Sequence, residues 1–229
     1  GKYTAALNYQ GNVVQSCIHC HQIGDAQRDY YRARGAPIPE TILFPYPHPK
    51  SIGLVMDPNT RATVQSVTAG SWAESAGFRG GDQIRTLNDQ PLVSLADIQW
   101  VLHRTPPEGG RIVAQVERDG ATSELVLQLP EGWRRAGDIS WRVSSWGLRR
   151  MTTGGMMLSE ATDDDRARLQ IPAGQMALVV KMVGQYGPHA AARKAGFQVG
   201  DVVVAFDGRT DLVREADVFL WGASRRRAG

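Results

Sequence analysis

Ala76-Gly77-Phe78-Arg79-Gly80-Gly81-Asp82-Gln83-Ile84 recurs further along the chain as Ala195-Gly196-Phe197-Gln198-Val199-Gly200-Asp201-Val202-Val203. That recurrence decides the architecture, because self-similarity at domain-sized spacing means two copies of one supersecondary unit. Each copy reads as a short helix ending at a glycine able to take a left-handed cap, followed by a Gly-Asp turn into a half-buried strand. The strands are Ile84 to Leu87 and Val203 to Phe206. An Asn-Asp or Asp-Gly turn follows each strand, then a helix containing Ala96-Asp97 or Ala216-Asp217. After its helix the first copy continues with Arg111 to Glu117, the turn Arg118-Asp119-Gly120, and Thr122 to Leu129, two alternating strands that close a sheet. No such hairpin follows Ala216 to Trp221 in the second copy. The second module is therefore expected to be incomplete, with a natural continuation of roughly twenty residues, the length of a hairpin.

A second motif stands outside the repeat. Cys17-Ile18-His19-Cys20-His21 has Cys-x-x-Cys-His spacing, at which two thiols bond to haem vinyl groups and the following histidine ligates iron. The expectation is one covalent haem c on Cys17 and Cys20, with His21 as proximal ligand. Candidate ligands for the opposite face are His103, at the end of the second helix of the first module, and His48, held between Pro47 and Pro49. His189 and the methionines are weaker candidates, and His19 is held inside the attachment loop. Two other uses of the cysteines stay open, a redox dithiol of thioredoxin type and half of a zinc site. Both cysteines of the chain lie here, so no structural disulfide is expected elsewhere. Asp25 to Arg34 reads as an exposed helix ended by Gly35, with Tyr30 and Tyr31 available to a porphyrin edge.

Composition sets bounds on the rest. The 229 residues allow two ordinary domains. A net charge of +3, with basic and acidic residues intermixed, gives no indication of nucleic-acid binding, and Arg225-Arg226-Arg227 reads as a solvated segment. No apolar run has the length of a transmembrane segment, Ala177-Leu178-Val179-Val180 being a buried strand. Gly-x-Ser-x-Gly is absent, and no spacing nominates a nucleophile and base, so no hydrolase or protease site is expected. Asp163-Asp164-Asp165 reads as the acidic first turn of a helix rather than a cation site. Trp133, Trp141 and Trp146 make residues 131–151 too apolar for a free linker, and are expected to seal the two modules together.

The Ala-Gly-Phe-x-x-Gly-Asp element, followed by Asn88-Asp89-Gln90-Pro91-Leu92 and Ser94-Leu95-Ala96-Asp97-Ile98, resembles the PDZ family of bacterial periplasmic proteases and their relatives. The resemblance implies that an extended peptide adds as a strand beside the second helix, its carboxylate meeting backbone N–H groups of an apolar-Gly-apolar loop. Ile52, Gly53, Leu54 and Val55 stand where that peptide-binding loop would lie, and Gly155-Met156-Met157-Leu158 is the candidate counterpart. The whole order, including Ser16 to Gln22, Phe44-Pro45-Tyr46-Pro47-His48-Pro49 and Ile139-Ser140-Trp141-Arg142, is similar to secreted bacterial thioredoxin-like/PDZ proteins, some of them selenoproteins.

The expected fold is therefore α+β, mainly β, with two PDZ-like modules preceded by a short haem-binding arm. The boundaries are 1–50 for the arm, 51–130 for the first PDZ domain, 131–151 for the connector and 152–229 for the second module. The expected function is an extracytoplasmic, periplasmic c-type haem protein in electron transfer or redox sensing, its PDZ modules serving as scaffold and docking surface. Its partners would be a redox protein or an upstream thioredoxin-like domain, and a peptide C-terminus or extended segment. The alternative is a peptide-binding module without haem, with Cys17 and Cys20 as a redox dithiol.

Overall fold

The computed structural model describes residues 20–60, 62–140, 142 and 145–224, the side chains of 20–22 excepted. The fold is α+β, as the sequence predicts, and divides into two compact units, Pro39–Ile139 and a second unit built from residues 1–38 with 140–229. Helix α1 (Cys20–Ala33) belongs to the latter.

The Pro39–Ile139 unit opens with α2 (Glu40–Leu43), a 3-10 turn over Pro49–Ile52, and strands β1 (Leu54–Met56) and β2 (Val64–Val67), paired antiparallel. Helix α3 (Trp72–Ser75) follows. The Ser71 hydroxyl accepts from Glu74 N–H at 3.2 Å and starts this helix. Next come β3 (Gln83–Leu87), β4 (Gln90–Pro91), α4 (Leu95–Arg104), β5 (Gly110–Arg118) and β6 (Ala121–Leu129). They form a four-stranded sheet in the order β4-β3-β5-β6, joined to β2 by a bridge between Thr63 and Gln83.

Alternation along β5 buries Ile112, Ala114 and Val116 against Ile84, Leu87, Ile98 and Leu102, which makes one core for the unit. Trp133 completes that core, its indole N–H donating to Pro106 O at 2.8 Å. It serves the interior of one unit, where the sequence suggested a seal between modules.

In the second unit α1 carries the buried Arg28, paired with Asp25 at 3.1 Å, so the helix is not exposed all round as its polar sequence suggested. Helix α5 (Ser145–Thr152), β7 (Met156–Glu160), α6 (Asp163–Leu169), β8 (Leu178–Val183), α7 (Ala191–Lys194), β9 (Val202–Val203) and α8 (Glu215–Ser224) follow. The sheet order is β7-β8-β9. Asp163, Asp164 and Asp165 occupy the first turn of α6, capped by Thr162. Met156, Leu158, Leu178, Val180 and Val218 form the core. Beside it lies a buried ion pair: Arg149 Nη2 meets Glu215 Oε2 at 2.8 Å, and Glu215 Oε1 accepts from Leu158 N–H at 2.8 Å. One carboxylate thus joins α5, β7 and α8.

Candidate functional site: an open strand edge beside helix α4

Thr68 N–H donates to Gly53 O at 2.9 Å, and the register pairs Leu54 with Val67 and Val55 with Ser66. Successive residues of an antiparallel strand present their backbone groups to opposite sides. Gly53 and Val55 are thus turned toward β2, and the N–H and C=O of Leu54 face the other edge. The sheet containing β1 ends there, since its order is β1-β2. Val55 and Met56 of β1 and Leu95 and Ile98 of α4 line a groove of about 580 Å³. Val93 and Ala62 add apolar surface, and His48, Lys50 and Asp57 bring polar and charged groups to the same groove.

Local sequence builds both walls. Helix α4 buries Ile98, Val101 and Leu102 at the spacing of one face and leaves Leu95, in its first turn, exposed at the groove. The Asp97 carboxylate accepts from Val93 N–H at 2.9 Å and Ser94 N–H at 2.8 Å, fixing the helix start. Those N–H donors hold the Asp97 carboxyl below its ordinary pKa. At the other end, the buried Arg134 guanidinium donates to Leu102 O at 3.2 Å and Thr105 O at 2.6 Å, satisfying terminal helix carbonyls. On the opposite wall the chain enters β1 through Gly53, at φ +93°, where a Cβ would collide with the Ser71 side chain. Only glycine fits.

The four residues named from the sequence divide their tasks. Ile52 and Leu54 are buried in the core, Gly53 makes the left-handed turn, and Val55 lines the groove. Within the loop, Ser51 N–H donates to His48 O at 2.8 Å and Gly53 N–H to Lys50 O at 3.1 Å, so these two donors serve the turn. Leu54 keeps its backbone turned to the edge away from β2. Sequence reasoning named this segment but missed Leu95, Val93 and Lys50, whose part in the groove depends on the tertiary fold; the apolar start of α4 was the available signal.

The two histidines offered as haem ligands hold local structure. His48 Nδ1 accepts from Lys50 N–H at 3.2 Å and caps the 3-10 turn. His103 stacks on Tyr46 with ring centroids 4.2 Å apart, and its Nδ1 accepts from Tyr46 N–H at 3.4 Å. Burial, then the nearby Arg134 and Arg104 cations, push the His103 pKa below 6.5. Cys17 lies outside the described residues, as do the side chains of Cys20 and His21. Among the described residues, no three His, Cys, Asp or Glu side chains gather where they could hold a metal ion.

The family model of the PDZ domain matches residues 50–129, the stretch that contains this groove. These residues form a PDZ domain. A probable periplasmic serine endoprotease, DegP-like, from Pseudomonas savastanoi pv. phaseolicola is 27% identical over 157 residues, which cover 67% of this chain and 30% of that protein. The chain thus spans about a third of that relative's length. The crystal structure of the serine endoprotease from Yersinia pestis aligns with a TM-score of 0.29 and 22% identity, over 34% of this chain and 29% of that one.

These findings correct the functional reading of the sequence. The similar protein is described as a periplasmic serine endoprotease and the matching family model as a PDZ domain, and neither description carries a haem or electron-transfer role. The electron-transfer and redox-sensing role and the haem, cytochrome, iron and metal-binding readings are therefore withdrawn, while the attachment expected at Cys17, Cys20 and His21 falls on side chains outside the described residues. The alternative of a peptide-binding module without haem agrees with the PDZ match, and its Cys17–Cys20 dithiol falls on side chains outside the described residues.

Proposed function

We propose that residues 50–129 capture extended polypeptide segments by strand addition, as a recognition module of the kind that accompanies a protease. The carrying observation is the open edge of β1, to which the Leu54 backbone turns, in a strand whose Val55 and Met56 line a groove together with Leu95 and Ile98 of α4. Main-chain hydrogen bonds to an added strand supply affinity, and the apolar α4 wall selects the side chains that point into it. An extracytoplasmic location fits this reading, because the matched relative is described as periplasmic. No described helix is long and apolar enough to cross a membrane. The second repeat is, on the same reading, a divergent copy of the module.

Fluorescence anisotropy with labelled ten-residue peptides tests the proposal. Peptides with alternating apolar residues are expected to bind, and Leu95→Glu, which puts a charge on the α4 wall, should weaken them about tenfold or more, equivalent to roughly 1.4 kcal/mol. Equal affinity for wild type and Leu95→Glu would place binding elsewhere.

A further inference from the structure

The two repeats share one backbone frame, and that frame matches their residues one to one. Val64 N–H donates to Asp82 O and Val180 N–H to Asp201 O, both at 2.8 Å. Thr68 N–H reaches Gly53 O at 2.9 Å, and Gly184 N–H reaches Gly155 O at 3.0 Å. The registers place Leu54 and Met56 opposite Val67 and Val64, and Met156 and Leu158 opposite Val183 and Val180, with a bulge before Met56 and before Leu158. Met156 is therefore the counterpart of Leu54, and Leu158 of Met56. At the start of α4 Ser94 N–H donates to Asp97 Oδ2 at 2.8 Å, and at the start of α8 Arg214 N–H donates to Asp217 Oδ2 at 3.0 Å, which puts Glu215 where the first repeat has Leu95.

The outer edges of β1 and β7 meet different neighbours. Val64 spends its N–H on Asp82 and its C=O on Gly81, and Val180 spends the same groups on Asp201 and Gly200, so their partners Met56 and Leu158 turn their backbones to the outer edge. In the first repeat that edge ends the sheet, and Leu95 stands 37% exposed at the groove. In the second repeat the chain itself takes the edge. Met156 N–H donates to Thr153 O at 3.4 Å, and Met156 O accepts from the Thr153 hydroxyl at 2.8 Å. Leu158 N–H donates to Glu215 Oε1 at 2.8 Å, and Arg149 donates to the two Glu215 oxygens at 2.9 and 2.8 Å. Helix α5, which carries Arg149, packs against β7 and α8, the counterparts of the β1 and α4 that line the groove. A Cβ on Gly222 of α8 would lie 2.7 Å from Thr152 Cγ2 of α5, so the two helices are in direct contact.

Resting on the reading of the first groove as a strand-addition site, we propose that the second repeat is a self-occupied copy of it. Thr153 and Glu215 hold the β7 backbone groups that an added strand would need, and the chain recruits one extended segment, through its first repeat alone. The deciding residue is the one at the helix start: apolar Leu95 leaves the Met56 N–H to a ligand, whereas the Glu215 carboxylate accepts the N–H of Leu158. A strand entering at β7 would have to displace the Thr153 bonds and pull apart a buried ion pair, leaving charges in the interior without full compensation. Covering a strand edge with the chain's own groups is also a common protection against unwanted pairing.

Hydrogen exchange read amide by amide, on the 229-residue chain without peptide, tests the closed edge. Each edge amide is compared with its cross-strand partner, so that opening of a whole unit cancels. Met56 is expected to exchange at least about tenfold faster than Val64, and Leu158 within about threefold of Val180. A Leu158 amide as fast against Val180 as Met56 is against Val64 would overturn the proposal. Arg149→Met together with Glu215→Leu removes both charges, leaving neither buried alone, and should speed the Leu158 amide about tenfold relative to Val180. Unchanged protection in the folded double variant would also overturn the proposal, and the wild-type comparison decides if that variant does not fold. Labelled peptide separates the closed edge from the reading it rests on. Binding is expected to saturate at one peptide per chain, slowing the Leu54 and Met56 amides and leaving Met156 and Leu158 unmoved, and a second peptide bound at β7 would refute the occlusion. No binding beside a protected Leu158 would refute recruitment at the first groove, whereas one bound peptide beside an unprotected Leu158 would refute the closed edge.

Discussion

Asp82 and Asp201 occupy the same place in the two repeats and have opposite surroundings. Burial pushes the Asp82 carboxyl upward, but bonds from Arg118 and from Arg79 N–H outweigh it and leave the pKa below its ordinary value. Removing one partner of a buried pair leaves the other charge without its counterion, so Asp82→Asn is expected to cost about 3 kcal/mol in urea unfolding. Asp201 is exposed, and Asp201→Asn keeps an oxygen for Gln198 N–H, so its cost should stay within about 0.5 kcal/mol. Comparable losses at both positions would refute this contrast. The sequence shows the repeated Gly-Asp but not the difference, because Arg118 lies 36 residues beyond Asp82 and no local pattern links them. His103 acts in the same sense as Asp82, at higher pH. Its pKa is lowered in the fold, first by burial and then by the nearby Arg134 and Arg104 cations. The unfolded chain then binds more protons, so stability falls as pH drops through 6.5 toward the lowered value. Between pH 7.5 and 5.5 the urea midpoint should fall more in wild type than in His103→Gln, and parallel curves would show that His103 does not carry this linkage.

At the scale of elements, the α+β repeat is legible in the sequence because its helices and strands carry their own punctuation: Ser94 before α4, glycines at helix ends, and Asp119-Gly120 between β5 and β6. Helix α1 shows where that legibility stops. Polar periodicity implies an exposed helix, but the fold buries the Arg28 stem and pairs its head with Asp25. The groove belongs to the same class of partly legible features. Its strand edge follows from the segment around Gly53, whereas the α4 wall is set by packing across the core. Helix α4 is the element on which the proposed recognition depends, and Asp97 fixes its first turn. Asp97→Ala should lower stability by about 1 kcal/mol, the usual value of a cap. It should also weaken peptide binding through a loosened Leu95 wall. An unchanged melting curve would mean that the α4 start is held by packing alone.

At the scale of the molecule, each unit has its own core, and the cores are covered unequally. The Pro39–Ile139 unit encloses its apolar strands between α4, β6 and Trp133. The second unit leaves Phe197, Val199 and Val204 in contact with solvent. Apolar surface that folding does not bury contributes nothing to stability, at roughly 25 cal/mol for each Å² left wet. Chains with more than one core also commonly depart from a single unfolding transition. Residues 145–224 are therefore expected to unfold at lower urea than residues 54–129. Pulse-labelled hydrogen exchange read peptide by peptide across a urea series resolves the two steps. Because the proposed peptide groove lies wholly within the Pro39–Ile139 unit, labelled peptide should still bind at a urea concentration where the second unit is already open. A single coincident transition, or loss of peptide binding in step with the second unit, would mean that the two repeats form one cooperative body.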